Sequence, residues 1–336
     1  MKSFGSENRA SGIAETLMSA TTSHEIRIDY RDNLSYEQFA REYLFANKPV
    51  IVTDAMRRWK ALSRWTPEFF RREFGSMTFN LPDGKGEFGY KENGVTEYTM
   101  MRLIDRILNS TDEDPAPYLR NVVLDEKFPS LREDVEPLPD YLQPNWLPDH
   151  YLVKSVGDIL NRGAAIEIYI GGKGGAFPVL HYDGAAAHAF LMHIYGRKRF
   201  ILYPPEQTEY LYPSSEKPNL STVNSLDKPD LERFPLFQKA VATTFVLEAG
   251  ELFFIPSGWW HTTKMLTPCI SISANVVNQS NWPALIDYAA KRVHNPMKSF
   301  AARVYLTAAG ARRSWRDRSW RQGKQAKTQQ GRLGSR

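Results

Sequence analysis

The sequence predicts a mainly-β fold, a sandwich or closed barrel with helices at either end. From about residue 164 the chain alternates apolar and polar positions, with Ile166, Ile168 and Ile170 set against Glu167 and Tyr169. The same period-two pattern returns over residues 269–277, Cys-Ile-Ser-Ile-Ser-Ala-Asn-Val-Val. These runs are short and punctuated by Gly and Pro, as in strands that close on one another. The flanking regions carry helix signals instead.

Taken in order, residues 1–24 are small and polar and have no continuous apolar stretch, so they read as a disordered segment, not a secretory signal. Residues 35–44 resemble a capped amphipathic helix, and 48–54 a short strand. Residues 66–75 carry Thr66 as a cap, Pro67 at the first helical position and Gly75 at the end. A further helix is expected near 99–108. The Pro- and Asp-rich stretch 125–150 reads as a linking loop with short turns. Residues 25–150 are thus expected to form α/β elements that pack on a barrel core spanning 151–280. Within that core, residues 189–195 and 199–203 flank Gly196-Arg-Lys, a hairpin signal. Residues 245–248 and 252–256 form another strand-turn-strand around Gly250. After Trp282-Pro283 the texture is helical through about Ala309, and Pro296 divides it into two helices. Residues 281–310 should bury an apolar stripe either on the barrel or on a second copy, so a homodimer is expected.

The composition is that of a globular chain: 336 residues, 42% hydrophobic and 12% aromatic. No run approaches the length of a membrane span. One cysteine, Cys269, excludes an intrachain disulfide and a thiolate cluster, and fits a reducing, cytoplasmic setting. The net charge of +5 is uneven. Residues 311–336 hold nine Lys/Arg and one Asp, a local +8 that leaves −3 for the other 310 residues. This tail reads as disordered and solvated, and nucleic acid or an acidic protein is the partner it would suit.

His181-Tyr-Asp183 follows a strand-like run, and residues i and i+2 of an extended segment point the same way. Both side chains can therefore reach one metal. His261, after a strand that ends in a Pro/Gly turn, is the natural third ligand, because a jelly-roll barrel brings such distant strands together. Two His and one carboxylate on one face leave open positions that suit Fe(II). Alone, the triplet is weak in a chain with seven histidines, and a His–Asp pair in a core is the plainer reading. Lys198 lies on an otherwise apolar strand. Pointing inward, it would be costly unless it gripped a carboxylate. Asn275 shares a face with Ser271 and Ser273.

In order along the chain, His181-Tyr-Asp183, Gly196-x-Lys198, Leu202-Tyr-Pro-Pro205, Gly250-Glu-x-x-Phe-Ile-Pro256-x-x-Trp-Trp-His261 and Ile272-Ser-Ala-Asn275 resemble the JmjC hydroxylases. The cupin-type asparaginyl and arginyl hydroxylases and the transfer-RNA wybutosine hydroxylase are the similar members. The resemblance covers about residues 25–290. It implies a double-stranded β-helix (jelly-roll, or cupin) core and an oxygenase using Fe(II), 2-oxoglutarate and O₂, with succinate and CO₂ as products. His181, Asp183 and His261 match the iron ligands. Lys198 matches the lysine that binds the side carboxylate of 2-oxoglutarate, Tyr118 a tyrosine on the same carboxylate, and Asn275 an asparagine near the cosubstrate. Tyr182, His188, Trp259 and Trp260 are expected to wall the substrate pocket, against a plain core-packing reading. Two positions depart from the family pattern. Pro178 stands where many members have Ser or Thr, and Ala189 where many hydroxylases have Asn.

The resemblance favours hydroxylation of an amino-acid side chain in a protein or peptide. The alternatives are a small molecule, such as an amino acid or a natural-product intermediate, and a transfer-RNA base. With no chromatin-reading domain in the sequence, histone demethylation is less expected. A metal-binding cupin without turnover is the non-enzymatic alternative.

Overall fold

The computed structural model describes residues 27–82, 94–147, 165–291, 293 and 295–333. The N-terminal segment 1–24 and the expected boundary at 150/151 lie outside them. The chain opens with β1 (Asp29–Arg31) and α1 (Tyr36–Phe39), which runs on as one π-helical turn, Ala40–Leu44. At the start of α1 the Ser35 hydroxyl accepts from the Gln38 N–H and the Gln38 amide oxygen accepts from the Ser35 N–H, a reciprocal cap. There follow β2 (Val50–Val52), α2 (Ala61–Arg64), and α3 (Pro67–Phe74), which Thr66 caps. Next come β3 (Thr78–Pro82), β4 (Val95–Thr99) and α4 (Met100–Leu108). β5 (Leu119–Val123) and α5 (Leu124–Lys127) lead into two short 3₁₀ turns.

The strands of the core are β6 (Ile166–Gly171), β7 (His188–Tyr195), β8 (Arg197–Tyr203), β9 (Thr243–Glu248), β10 (Leu252–Ile255), β11 (Trp260–Met265) and β12 (Cys269–Val276). They form a seven-stranded sheet, ordered β1-β2-β10-β7-β12-β6-β5, facing a three-stranded sheet, β11-β8-β9; β3 and β4 pair separately. The chain crosses between the two main sheets from β7 to β8, from β9 to β10, from β10 to β11 and from β11 to β12, the winding of a jelly roll.

This corrects the hairpin expected at Gly196. β7 pairs with β10 and β12, whereas β8 pairs with β9 and β11, so the chain turns a corner between sheets there. The glycine itself was a sound signal, since Gly196 has φ +83° and a Cβ on it would lie 1.9 Å from the Pro268 carbonyl oxygen. A positive-φ glycine marks a tight corner as readily as a hairpin. Gly250, at φ +93°, turns the chain from β9 to β10 in the same way.

Alternation along β10 shows where the core sits. Phe253 packs on Phe200 of the smaller sheet, with ring centroids 5.1 Å apart. Phe254 faces outward onto Phe39 of α1 at 4.9 Å and Phe190 at 5.0 Å. Each such aromatic pair contributes about 0.5–1.5 kcal/mol beyond its buried area. The isoleucines of β6 and β12 join Phe254 in the outer layer, packed against the N-terminal helices. The face carrying Tyr169, Ser271 and Ser273 is therefore left to the lumen.

At the C-terminus, α6 (Trp282–Lys291) is followed by α7 (Pro296–Leu333), with Pro296 as the first residue of the second helix. The tail expected to be disordered from residue 311 instead continues α7 to Leu333. Gly310 lies against the Trp282 indole, Arg313 lies over the Trp146 and Trp282 rings, and Trp146 Nε1 donates to Asp317 at 2.8 Å. Charge alone does not measure order: Arg, Lys, Gln and Ala are good helix formers, and the tail's first turn packs on two indoles. Among the described residues no helix is long and apolar enough to cross a membrane.

Candidate metal centre

His181 and His261 meet as a directly opposed antiparallel pair. The His181 N–H donates to the His261 carbonyl at 3.1 Å, and the His261 N–H to the His181 carbonyl at 2.7 Å. Their imidazole centroids are 4.4 Å apart. In each ring Nδ1 lies 3.1 Å from a main-chain carbonyl two residues earlier, Val179 for His181 and Trp259 for His261. A carbonyl can only accept, so Nδ1 carries the proton and Nε2 presents its lone pair inward. Asp183 leads into a 3₁₀ turn, Gly184–Ala186. Its Oδ2 is 3.9 Å from His261 Nε2, too long for a hydrogen bond between the two. One ligand atom from each of the three side chains lies within 4.8 Å of the others, so they can converge on one ion. Burial, and then the neighbouring His261, holds the His181 pKa well below the usual imidazole value, and burial raises the Asp183 carboxyl. Two imidazoles beside a buried carboxylate that water serves poorly make a site that gains by binding a cation. Two His and one carboxylate on one face suit Fe(II).

The same cavity is bordered by Lys198, Tyr118 and Ser273. Lys198 is 2% exposed, and its Nζ donates to Ser271 Oγ at 3.0 Å and Tyr118 Oη at 3.4 Å. Burial lowers its pKa to about 8. A lysine buried among neutral hydroxyls, one cavity away from three metal-type ligands, fits a carboxylate such as the distal one of 2-oxoglutarate. Ala189, at one of the positions that departs from the family pattern, lines the cavity with a methyl group. Asn275 pairs with Ala189 across β12 and β7 on the row of Ser271 and Ser273, but is not among the residues lining the cavity.

The four residues expected to wall the substrate pocket are not among those lining this cavity. His188 is buried and has both ring nitrogens engaged: Nδ1 accepts from the Ser257 N–H and Nε2 donates to Ser280 Oγ. Burial pushes its pKa down to about 3. Trp259 donates to the Asn47 carbonyl and Trp260 to Thr208 Oγ1, each inside an apolar cluster. Tyr182 packs edge-on against Trp260 at 4.9 Å. Flanking a metal ligand by one residue turns a strand side chain to the opposite face, which is why Tyr182 and Trp260 pack behind the site. Residues that sequence reasoning missed include Phe177, stacked on His181 at 4.3 Å, and Tyr169, whose hydroxyl bonds Glu167. The alternation of Tyr169 with the outward isoleucines was the signal for the second; none marked Phe177.

Comparison with known proteins places this geometry. The model of the cupin-like domain matches residues 36–288. Lysine-specific demethylase 8 of Xenopus tropicalis is 30% identical over 245 residues, which cover 71% of this chain and 50% of that protein. The 2-oxoglutarate and iron-dependent oxygenase JMJD4 of Gallus gallus is 29% identical over 276 residues, covering 78% of this chain and 62% of that protein. The tRNA wybutosine-synthesizing protein 5 of Gallus gallus is 28% identical over 257 residues, covering 70% of this chain and 72% of that protein. The chain spans about half the length of three relatives named as lysine-specific demethylases and about a quarter of a fourth. A match over three quarters of the sequence, on a jelly roll whose lumen gathers His181, Asp183 and His261, shows that this chain belongs to the cupin-like domain family.

Proposed function

We propose that this protein is an Fe(II)- and 2-oxoglutarate-dependent oxygenase that hydroxylates an amino-acid side chain in a protein or peptide. The observation that carries the reading is the pairing of a two-His, one-carboxylate triad with a buried, carboxylate-seeking Lys198 in one cavity. A relative that carries both cofactors in its name supports it. When bound, iron and 2-oxoglutarate supply the oxidising power that places one oxygen atom of O₂ into a C–H bond, with succinate and CO₂ released. The chain's own part is positional. His181 and His261 offer Nε2 because the Val179 and Trp259 carbonyls hold their Nδ1 protons. Asp183 supplies the negative charge. Lys198 and the Tyr118 hydroxyl hold the far carboxylate, Asn275 lies on the same lumen face, and the buried cavity keeps water out.

Relatives named as lysine- and arginine-specific demethylases point to a second outcome of the same chemistry, oxidation of an N-methyl carbon. A small molecule and a transfer-RNA base remain the alternative substrates, the latter by likeness to the wybutosine-synthesizing relative. A homodimer through the C-terminal helices belongs to this reading, as does contact of the basic residues beyond Arg312 with nucleic acid or an acidic partner.

His181→Ala and Asp183→Ala should each abolish succinate formation from 2-oxoglutarate while melting remains cooperative, because these side chains would hold the metal and do not build the core. Near-normal succinate formation in either variant would exclude the ligand set. Absence of succinate in the iron-loaded wild type would favour a metal-binding cupin without turnover. Intact-mass screening of proteins, peptides, metabolites and tRNA nucleosides for the gain of one oxygen, or the loss of a methyl group, identifies the substrate class.

A further inference from the structure

A buried polar circuit lies behind Lys198. His193 on β7 and Ser271 on β12 stand directly opposite each other across an antiparallel pair, and both are fully buried. By strand parity His193 shares the face of Ala189 and Leu191, which line the metal cavity. The register of the two strands shifts at this point, between Ile270 and Ser271. The chain then turns the corner at Gly196 and carries Lys198 onto β8. His193 Nε2 lies 2.9 Å from the Gly196 carbonyl, and its Nδ1 lies 2.9 Å from Ser271 Oγ. Ser271 Oγ is in turn 3.0 Å from Lys198 Nζ. The circuit is closed: along the main chain from His193 to Lys198, across to Ser271, and back to His193.

Donor and acceptor rules give each proton in it a direction. The Gly196 carbonyl can only accept, so His193 Nε2 carries the ring proton and Nδ1 presents a lone pair. An ammonium can only donate, so Ser271 Oγ accepts from Lys198 and turns its own proton to His193 Nδ1. Burial, and then the Lys198 charge, pushes the His193 pKa down to about 3, which keeps the ring neutral and the directions fixed. The Tyr118 hydroxyl accepts a second Lys198 N–H at 3.4 Å. Among the described residues that leaves the third N–H, and the Tyr118 proton, for a carboxylate in the cavity.

Resting on the reading of Lys198 as the partner of the far carboxylate of 2-oxoglutarate, we propose that His193 is a positioning residue of the cosubstrate site, acting through Ser271 to hold the Lys198 ammonium against the cavity wall. A lysine head on a four-carbon stem has many rotamers and no directional preference of its own. An acceptor that is itself anchored removes that freedom before the ligand arrives, so less ordering is left for binding. His193 and Ser271 do not line the cavity, whereas Lys198 does, so their influence on a ligand must pass through Lys198. The Gly196 carbonyl serves the same end, because it ties the imidazole to the corner from which β8 starts. A histidine that only filled the core would need neither a fixed tautomer nor a polar partner that reaches the cavity.

The test measures binding, not turnover. Full-length protein loaded with Mn(II), which takes oxygen ligands as Fe(II) does, is titrated by calorimetry with 2-oxoglutarate and with 2-oxobutanoate, which lacks the far carboxylate. His193→Phe and Ser271→Ala should each weaken 2-oxoglutarate roughly tenfold and leave 2-oxobutanoate unchanged. The double variant should lose no more than either single one, as for two groups in one chain of hydrogen bonds. His193→Asn puts an amide oxygen near the place of Nδ1 and should restore binding to within about twofold of the wild type. If His193→Phe does not fold, Ser271→Ala, which removes a single oxygen, and the ring tautomer still decide. Nitrogen NMR of histidine-labelled wild type, with His193→Asn to assign the signal, should show a neutral ring with its proton on Nε2 from pH 5 to 8. A proton on Nδ1, additive losses in the double variant, equal losses for the two oxo acids, or unchanged 2-oxoglutarate binding in His193→Phe overturns the proposal. Binding that needs Lys198 but is indifferent to His193 removes the positioning role and leaves the cosubstrate site. Wild-type protein that binds 2-oxobutanoate as well as 2-oxoglutarate, or binds neither, removes the cosubstrate reading and the proposal together.

Discussion

A lysine held 2% exposed between two neutral hydroxyls carries a charge at a cost that a bound carboxylate would offset. Lys198→Ala should therefore raise the 2-oxoglutarate requirement by about 1.5–3 kcal/mol of binding, roughly tenfold to a hundredfold in KM, and leave Fe(II) affinity nearly unchanged. An unaltered KM in succinate assays would remove Lys198 from the cosubstrate site. His188 and His193 are the other buried titratable side chains of β7. Burial holds both pKa values down to about 3, against an ordinary 6.5. The unfolded chain thus takes up protons first as pH falls. Stability is whole above pH 6.5 and is lost progressively from there toward 3. Each group contributes at most about 1.4 kcal/mol per pH unit in that window. His188→Gln should flatten the fall of Tm between about pH 6.5 and 5; a slope equal to that of the wild type would show that His188 does not carry it. At this scale spacing allowed His181, Asp183 and His261 to share an ion but left them weak until the order of the other motifs was added, and the structure brings the three together with Lys198 buried nearby. Tyr182, His188, Trp259 and Trp260 do not line the metal cavity, and an aromatic or imidazole beside a ligand looks alike in sequence whether it faces the lumen or the core. Only strand parity separates the two.

The elements were legible where local chemistry determines them. Ser35 and Thr66 cap helices that begin at Tyr36 and Pro67, and Pro296 starts the last one. What sequence could not show was which sheet each strand joins. Gly196 and Gly250 both carry positive φ, yet the strands they link pair with others far along the chain. Pairing between distant strands is set by closure of the whole barrel, not by the turn. The two corners differ in how tightly they are packed. A Cβ at Gly196 would meet the Pro268 carbonyl oxygen at 1.9 Å, whereas at Gly250 nothing lies within 4 Å. Gly196→Ala should cost about 2–4 kcal/mol, from backbone strain plus a clash that neighbouring backbone cannot relieve. Gly250→Ala should cost only the strain, about 1–2 kcal/mol. Chemical denaturation of the two variants measures both, and equal losses would show that the approach of Pro268 does not matter.

At the scale of the molecule, the large sheet spends its apolar face on the N-terminal helices and turns its polar face to the lumen, so fold stability and chemistry occupy opposite sides of the same strands. The C-terminal helices do not share that arrangement. α7 buries Leu306 against α6 but leaves Met297, Phe300, Val304 and Trp315 from 54% to 83% exposed. At 100° per residue these four fall within an arc of about 60°, a continuous apolar stripe along one face. A stripe of that kind on an exposed helix is costly in water and is covered by association. The expected outcome is a homodimer in which two copies of α7 pack stripe to stripe. Light scattering of the full-length protein at micromolar concentration should show twice the monomer mass, and Phe300→Glu with Val304→Glu should halve it. A wild-type monomer would sink the dimer. The basic residues bear on the same helix differently than their charge implied. Truncation at residue 311 removes the Arg313 contacts with Trp146 and Trp282 and the Trp146–Asp317 bond. It should therefore lower Tm by several degrees, on the order of 1–3 kcal/mol of packing and hydrogen bonding. Truncation after residue 320 keeps those contacts and should leave Tm unchanged. Equal Tm for both truncations and the full chain would mean that the first turns of the basic segment contribute nothing to the fold.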